Sequence, residues 1–579
     1  MLHGLGVSEG IGLGRVMLLE GPCLSYRLEE TGRTREASAE QERFRQAVET
    51  FCRNTAEQVE VLRLSAGYEE SLVLESHIDM IRDPVLLEEV EALIGESHSA
   101  EAALQKICGQ YIDAFSSSND ELIRLRAEDI RDVCQALLCV LLGVKETTLC
   151  HAPKGTVLVV RELSPSIMSG IDKENITGII TETGGFASHS SILARALGIP
   201  TVCGVPDATQ NLPPNSFVIV DGIKGEVLNE PEQPEIAAYW QRREDFLGQR
   251  RQMEILRDKK TLSADGIEYK LYCNVSMPAG VPGAIESGGE GVGLFRTEYL
   301  FMNHPHPPGE EDQFLAYSQV LQGAAGRPVV IRTLDIGGDK EVPCLNSPRE
   351  ENPFLGLRGI RWCLENPEVF LTQLRALLRA GLNGDLRLLL PMVSSIEELR
   401  SGRALIEKAE SHLSAQGIPH AKSLPIGVMI ETPAAALSAD ILATEADFFS
   451  IGTNDLTGYI MACDRGNSHV AGLYSVLQPA VIRILRHIIA CGRNQGLPVC
   501  ICGEAASDPR VIPLLISFGI TGFSVSAASV LTVKNAVSHW TKEQGNRLAE
   551  AVFEMKSEAE ISEYLAEAAR SQNIGFLSV

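Results

Sequence analysis

The sequence has few aromatic residues, no excess of basic residues and no long apolar run. Phe, Trp and Tyr make up 5% of the 579 residues, whereas glycine is plentiful with 51 residues, and this balance favours an α/β architecture over a β-sandwich. The formal net charge of -25 argues against a nucleic-acid groove or an anionic membrane surface as a partner. No apolar run approaches the roughly 18 residues of a transmembrane helix.

Export and disulfide signals are also missing. The first residues, MLHGLGVSEG, have neither the basic flank nor the apolar core of a signal peptide. The 14 cysteines are scattered, mostly inside apolar runs such as QALLCVLLG and VCICG, and no pair has zinc-ligand spacing with histidines nearby. In a chain of this length such cysteines are expected to be reduced, buried thiols. We therefore expect a cytoplasmic protein.

Changes in periodicity divide the chain into regions, and its length alone predicts two to four domains. Short strands with glycine turns are predicted within residues 1–30, and strands return over 145–230 as GTVLVV, ITGIITE, PTVCGV and SFVIVDGIKGEVL. Between them, residues 31–144 show apolar stripes at helical spacing, which predict about four helices. We interpret them as a small bundle inserted into one α/β domain. A charged, proline-marked connector that becomes helical follows at 231–260.

Residues 261–579 form the most regular part of the chain. Eight apolar, strand-like runs alternate mostly with helical stretches, at 271–276, 291–296, 328–334, 387–393, 425–431, 448–453, 498–502 and 521–526. Eight such units in roughly 300 residues predict a (β/α)8 barrel of the TIM type. The active site of such a barrel lies at the C-terminal ends of its strands.

Polar side chains follow several of these predicted strands. They are Arg296, Arg332, Arg358, Glu431, Asn454, Asp455, Arg465 and Cys502. A single arginine there could be a solvated rim residue, but four guanidinium groups at one end of an acidic barrel favour phosphate and carboxylate recognition. Glu431 and Asp455 offer the hard oxygens that Mg²⁺ prefers, unless each only pairs with an arginine. The pattern predicts a site for a small anion that carries both phosphate and carboxylate, bound with a metal.

The stretch GGFASHSSILAR, residues 184–195, places His189 among serines at the predicted start of a helix. The simplest interpretation is a helix-capping segment with an incidental histidine. However, the two glycines allow close backbone approach, and free N–H groups at a helix start can bind a phosphoryl group. A neutral imidazole, with a reference pKa of about 6.5, is a competent nucleophile. Together with the anion site, the segment indicates phosphoryl transfer through phosphohistidine.

Taken in order, these motifs resemble Enzyme I of the bacterial sugar phosphotransferase system, the family of phosphoenolpyruvate–protein phosphotransferases. The resemblance extends from HGLGVSEGIGLG to near the C-terminus. Its most specific segments are GGFASHSSILAR, GLFRTEYLFM, RTLDIGGDK, NPFLGLRGIR, PIGVMIETPAA, DFFSIGTNDLT, and CDRGN with CGEAASDP.

The resemblance implies a role for each candidate residue. Phosphoenolpyruvate and Mg²⁺ would bind on the barrel; the substrate ligands would be Arg296, Arg332, Arg358, Asn454, Asp455 and Arg465, and the metal ligands Glu431 and Asp455. His189 would take the phosphoryl group on Nε2 and pass it to a histidine of the carrier protein HPr, docked on the inserted bundle. Cys502 would protonate the enolpyruvate to give pyruvate. The family also implies a homodimer joined through its barrels.

Several positions depart from the family pattern. Phe186 and Ala187 stand where Arg-Thr is usual, Met168 replaces a threonine, and Gly458 replaces a glutamine. Because hydroxyls near His189 are lost, its tautomer would be less firmly fixed, which affects rate more than chemistry. A regulatory protein that senses phosphoenolpyruvate or HPr without turnover is therefore an alternative. A pyruvate phosphate dikinase relative is a weaker one, because no Walker-type nucleotide loop is visible.

Overall fold

The computed structural model describes most of the chain, in two compact units. The described residues are 1–19, 36–65, 68–96, 98–116, 121–143, 152–161, 163, 167, 171–172, 174–184, 194, 198–302, 306–338, 342, 344–345, 350–464, 467, 469–572 and 574. The first unit is Met1–Gly248, and the second begins at Gln249. Of the sequence-derived candidates, Met168, Phe186, Ala187, His189 and Arg465 lie outside the described residues.

A mixed eight-stranded sheet forms the centre of the first unit. Its strands are β1 (Leu2–His3), β2 (Leu5–Ser8), β3 (Ile11–Leu19), β4 (Thr156–Val160), β5 (Ile176–Thr181), β6 (Thr201–Cys203), β7 (Phe217–Asp221) and β8 (Glu226–Asn229), in the order β1-β8-β7-β3-β4-β5-β6-β2. The run β3-β4-β5-β6 is parallel, and the other pairs are antiparallel. Because β3 pairs directly with β4, the sheet joins chain segments on both sides of the helices between them.

Those helices form the predicted bundle. They are α1 (Ala37–Ser65), α2 (Tyr68–Ile81), α3 (Pro84–Gly95), α4 (Ala100–Ser116) and α5 (Glu121–Leu142), and they share a separate apolar core. The described part of the bundle thus has five helices where the apolar stripes predicted about four. The extra break lies at Asp83, whose carboxylate accepts a hydrogen bond from Val85 N at 2.8 Å and caps α3. Pro84 begins that helix, where its missing N–H costs nothing.

The first half of the connector helix packs against the sheet of the first unit. After the short α6 (Ala208–Asn211), α7 spans Gln233–Glu254. Ile236 and Tyr239 pack against a sheet cluster of Ile11, Leu13, Ile219 and Leu228. Arg242 Nη2 lies 2.8 Å from Oδ2 of the fully buried Asp221. A buried carboxylate needs such a partner, so this ion pair fixes the first half of α7 to the sheet.

The second unit is a closed barrel of eight parallel strands. They are β10 (Glu268–Val275), β11 (Val292–Arg296), β12 (Val329–Arg332), β13 (Leu386–Leu390), β14 (Ile426–Ile430), β15 (Phe448–Gly452), β16 (Val499–Cys502) and β17 (Gly522–Val525), with β9 (Thr261–Leu262) antiparallel to β10. Neighbours in sequence pair throughout, and β17 and β11 both pair with β10. All eight predicted strands and the barrel are confirmed.

Helices surround this barrel and bury their apolar faces against it. They are α8 (Gly280–Glu286), α9 (Tyr299–Met302), α10 (Glu310–Gly323), α11 (Ile360–Glu365), α12 (Pro367–Ala380), α13 (Ile396–Ala415), α14 (Pro433–Leu437), α15 (Ala439–Leu442), α16 (Thr453–Met461), α17 (Pro479–Asn494), α18 (Ile512–Phe518), α19 (Val530–His539), α20 (Lys542–Glu554) and α21 (Glu558–Ser571). Across the described residues of both units, no helix is long and apolar enough to cross a membrane.

Candidate functional site

Seven of the nine candidate residues are described, and each of the seven either ends a barrel strand or comes after the C-terminal end of one. Arg296 and Arg332 are the last residues of β11 and β12, and their Cα atoms are register partners. Cys502 is the last residue of β16. Arg358 lies between β12 and α11, Glu431 directly follows β14, and Asn454 and Asp455 lie in the first turn of α16 after β15. Parallel strands place all these ends on one side of the barrel.

The local sequence explains why β14 ends just before the candidate residue Glu431. The strand IGVMI is apolar and buried throughout. Pro433 cannot continue a strand ladder and instead opens α14, while Thr432 Oγ1 caps that helix by accepting a hydrogen bond from Ala435 N at 3.1 Å. Glu431 is therefore held between a buried strand and a fixed helix start.

A chain of buried ion pairs connects the two central arginines. Arg332 Nη2 lies 2.5 Å from Glu298 Oε1, and its Nη1 lies 3.1 Å from Asp335 Oδ2. Arg358 Nε lies 3.2 Å from the other oxygen of Asp335, and its Nη1 lies 3.0 Å from Asp455 Oδ1. The two arginines are only 3% and 1% exposed. Burial by itself lowers the pKa of each guanidinium, but the surrounding carboxylates raise it overall, so both stay charged.

Glu298 and Asp335 are buried partners of the candidate arginines that the sequence pattern did not reveal. They follow the arginines of the FRTE and IRTLD segments by two and three residues, a spacing that does not distinguish a buried partner from a surface charge. Their carboxylates hold the guanidinium groups of Arg332 and Arg358 in place, but they do not accept hydrogen bonds from every N–H group of these arginines. Arg332 Nε is buried and has no hydrogen-bond partner among the described residues, and Arg296 has no ion pair there. An incoming anion could accept from both groups.

Glu431 is fully buried, and only one of its two carboxyl oxygens has a hydrogen-bond partner in the described structure. Its Oε1 accepts a hydrogen bond from Met392 N at 2.7 Å, whereas Oε2 has no hydrogen-bond partner in the described structure. Gly452 makes room for this oxygen, because a Cβ at that position would lie 2.6 Å from Oε2. Burial, and then the negative charges of Asp455 and Asp335, raise the pKa of Glu431 to about 8. Without a bound metal ion, this carboxyl group keeps its proton at neutral pH.

The donor set fits a hard divalent cation. Glu431 Oε2 is a buried oxygen without a partner, and Asp455, with 26% of its side chain exposed, offers further carboxylate oxygens. No group of three or more His, Cys, Asp or Glu side chains in the described residues has the arrangement of a complete metal site. Mg²⁺ is commonly held by one or two carboxylates, with water and substrate oxygens completing its shell. The pair therefore fits a cation that binds together with an anionic substrate.

The Cys502 thiol is buried and protonated. Only 1% of the residue is exposed, and Sγ contacts the barrel-interior cluster that includes Met429. Burial raises the pKa of this thiol to about 11, and a hydrogen bond from Ser450 partly offsets the shift. The sulfur lies 3.3 Å from Ile451 O, to which the thiol donates. At neutral pH the group is therefore a proton donor, not a thiolate nucleophile.

Asn454 is oriented by its neighbours in the same rim. Its Oδ1 accepts from Glu504 N at 3.0 Å, which leaves the side-chain NH₂ as the group that can donate to an anion. Gly503 allows this approach: it has φ +89°, and a Cβ there would lie 2.4 Å from Thr453 Oγ1 and 2.7 Å from Asn454 Oδ1. The departure at Gly458 lies later in α16, where its carbonyl accepts from Cys463 N at 3.0 Å.

The raised pKa of Glu431 predicts a pH-dependent stability in metal-free protein. The folded pKa of about 8 exceeds the model-peptide value of about 4.3, so the folded state keeps a proton that the unfolded state loses as pH rises. The contribution of Glu431 to stability is fully present below the unfolded pKa and is lost on the way to pH 8. Because glutamine does not titrate, Glu431→Gln should gain stability relative to the parent protein between pH 5 and 8.

Urea unfolding in the presence of a chelator, followed by the fluorescence of the barrel residues Trp362 and Trp540, would measure the difference in the free energy of unfolding between Glu431→Gln and the parent protein. Glu407→Gln, which changes an exposed glutamate of α13, serves as the control and should show no such trend. A difference between Glu431→Gln and the parent protein that stays constant from pH 5 to 8 would contradict the assignment of a buried, protonated carboxyl.

Comparison with known proteins agrees with this geometry. The PEP-binding domain of PEP-utilising enzymes matches residues 250–542, the mobile domain 152–225 and the N-terminal domain 3–126. A "Phosphoenolpyruvate-protein phosphotransferase" of Staphylococcus carnosus (strain TM300) is 38% identical over 98% of both chains. The protein of the same description from Bacillus sp. (strain S) is 38% identical over 97% of both.

The solved structure titled "NMR solution structure of Enzyme I (nEIt) protein using two 4D-spectra" is 31% identical in sequence. It covers 42% of this chain and 99% of that chain, with a TM-score of 0.36, which is too low to support a statement about the fold. The family assignment depends on the sequence relatives, which match nearly from end to end, and on the PEP-binding domain, which matches half of the chain. The chain belongs to the phosphoenolpyruvate–protein phosphotransferase family of PEP-utilising enzymes.

Proposed function

We propose that this enzyme transfers the phosphoryl group of phosphoenolpyruvate through phosphohistidine at His189 to a histidine of the carrier protein HPr, releasing pyruvate as the first step of the sugar phosphotransferase system. The observation that carries the proposal is the buried Arg332–Asp335–Arg358 chain at the C-terminal end of the barrel. The descriptions of the relatives name the donor and the reaction class. HPr as the acceptor follows from the resemblance to Enzyme I.

The barrel residues would bind the substrate by charge and shape. Phosphoenolpyruvate carries a phosphate and a carboxylate, and planar guanidinium groups bind both in bidentate fashion. The proposed ligands are Arg296, Arg332, Arg358, Asn454, Asp455 and Arg465. Glu431 and Asp455 would hold Mg²⁺, which supplies positive charge to the phosphate and enolate oxygens. Cation binding requires the proton of Glu431 to leave, since the free carboxyl group has a raised pKa.

The chain's own residues then divide the chemistry into two steps. His189 Nε2 attacks phosphorus while the bond from phosphorus to the enolpyruvate oxygen breaks, and the arginines stabilise the charge that builds up on that oxygen. Cys502 then gives its proton to carbon 3 of the enolate, which forms pyruvate. The second step needs a protonated thiol, and the burial of Cys502 keeps it protonated.

The same proposal assigns a role to each region. Residues 1–30 with 145–230 would carry the phosphohistidine, 31–144 would dock HPr, 231–260 would link the two halves, and 261–579 would bind phosphoenolpyruvate. We also propose a cytoplasmic homodimer joined through the barrels, without nucleic-acid or membrane partners.

Replacing the nucleophile tests the proposal. His189→Ala should abolish phosphorylation of HPr and leave phosphoenolpyruvate binding nearly unchanged, because the proposed substrate ligands lie on the barrel. Calorimetry with Mg²⁺ and phosphoenolpyruvate would measure binding, and transfer of radiolabel to HPr would measure activity. Retained transfer in His189→Ala, or loss of binding together with transfer, would contradict the assignment.

Replacing a guanidinium tests the substrate site. Arg332→Lys should reduce kcat/KM about ten- to a hundredfold, because an ammonium group cannot replace a planar fork and charged hydrogen bonds contribute roughly 1.5–3 kcal/mol. Arg387→Lys is the matched control. Arg387 lies near the start of β13, paired with Asp385 at 2.9 Å, and so at the opposite end of the barrel from the candidate site. Equal kinetics in the two variants would remove Arg332 from the site.

A further inference from the structure

Ser450 is a buried serine of β15 whose hydroxyl contacts the thiol of Cys502, the proposed proton donor on the neighbouring strand β16. Ser450 pairs in register with Cys500 of β16 and is 1% exposed. Its Oγ donates a hydrogen bond to Cys502 Sγ at 3.5 Å, a normal length for a sulfur acceptor. The thiol in turn donates to Ile451 O at 3.3 Å. The sulfur is therefore fixed from two directions, once as acceptor and once as donor.

Apart from the positive charges of Arg332 and Arg296, which lower the pKa of the Cys502 thiol, the surroundings of the sulfur are apolar. Cys502 packs into a barrel-interior cluster with Leu294, Val330, Leu389, Met429 and Phe448. A thiolate buried among such side chains is strongly disfavoured unless a hydrogen-bond donor faces it. The Ser450 hydroxyl already faces it. A hydrogen bond to a charged acceptor is also stronger than one to a neutral acceptor, so this contact strengthens as the thiol loses its proton.

We propose that Ser450 is a positioning residue for the protonation of the enolate, an inference that rests on the proposed role of Cys502. In that step the S–H bond breaks with its electron pair left on sulfur, and the proton joins carbon 3 through the electron pair of the enolate double bond. The Ser450 hydroxyl keeps Sγ in place and stabilises the thiolate until water returns a proton to it. Phosphoryl transfer between His189 and HPr involves no such step and does not depend on Ser450.

The test compares Ser450→Ala with a matched barrel serine. Ser524 on β17 is fully buried, and its Oγ donates to Asn274 Oδ1 at 2.6 Å instead of to the thiol. Pyruvate release would be followed with lactate dehydrogenase, and exchange of label between phosphorylated HPr and His189 would be measured separately. Ser450→Ala should lower pyruvate release about tenfold, the loss of roughly one charge-assisted hydrogen bond, and leave exchange unchanged. Ser524→Ala should leave both reactions near the parent values.

A double-mutant cycle separates a role through the thiol from a general effect on the barrel. In a Cys502→Ala background, Ser450→Ala should cause no further loss, since the group that it positions is gone. Ser450→Thr, which keeps the hydroxyl, should recover most of the pyruvate rate. A tenfold loss that persists in the Cys502→Ala background, or a fall in exchange together with pyruvate release, would overturn the proposal.

The outcomes also distinguish this inference from the proposed function. Normal pyruvate release in Cys502→Ala would remove the thiol as proton donor and the inference with it. Slow release in Cys502→Ala with normal release in Ser450→Ala would overturn the inference alone and leave phosphoryl transfer through His189 as proposed.

Discussion

The carboxylate of Asp335 is the group on which the candidate site depends. One of its oxygens pairs with Arg332 and the other with Arg358, and all three residues are almost fully buried. Removing one partner from such a set leaves an uncompensated buried charge, which costs about 3–5 kcal/mol. Asp335 therefore fixes two guanidinium groups at a set separation before any ligand arrives. This preorganisation is what a site needs if it is to stabilise a charge that develops during reaction.

The charges around Asp335 favour the binding of a divalent cation together with the anionic substrate. The carboxylates of Glu298, Asp335 and Asp455 are matched by three guanidinium groups, those of Arg296, Arg332 and Arg358. Glu431 adds no further negative charge because it keeps its proton. An anionic substrate would add negative charge to this balanced set. A divalent cation on Glu431 and Asp455 would offset it, and would also give a partner to the unsatisfied Glu431 Oε2. Arginine forks, carboxylates and the proposed cation thus form a single electrostatic unit.

The sequence predicted best those features that depend on residues close together in the chain, such as the strands of the barrel. The eight apolar runs predicted the barrel strands, and the residues at the ends of these runs supplied the seven described candidates, whose role stays a prediction. Glu298 and Asp335 were missed because a carboxylate near an arginine looks the same whether the fold buries it or exposes it. Ser450 was missed because it lies inside an apolar strand, and only the pairing of β15 with β16 brings its hydroxyl to Cys502. The break at Pro84 was visible in the sequence but lay within a continuous helical pattern. The placement of His189 and Arg465 stays a prediction.

The proposed reaction requires that this chain carry the phosphoryl group on a histidine. Incubation with radiolabelled phosphoenolpyruvate and Mg²⁺, without any carrier protein, tests it directly. We expect one phosphoryl group per chain to become attached as an acid-labile, base-stable adduct. The label should map to His189, in the peptide that contains residues 184–195. An unlabelled protein that nevertheless binds phosphoenolpyruvate, or a label on any other residue, would contradict it.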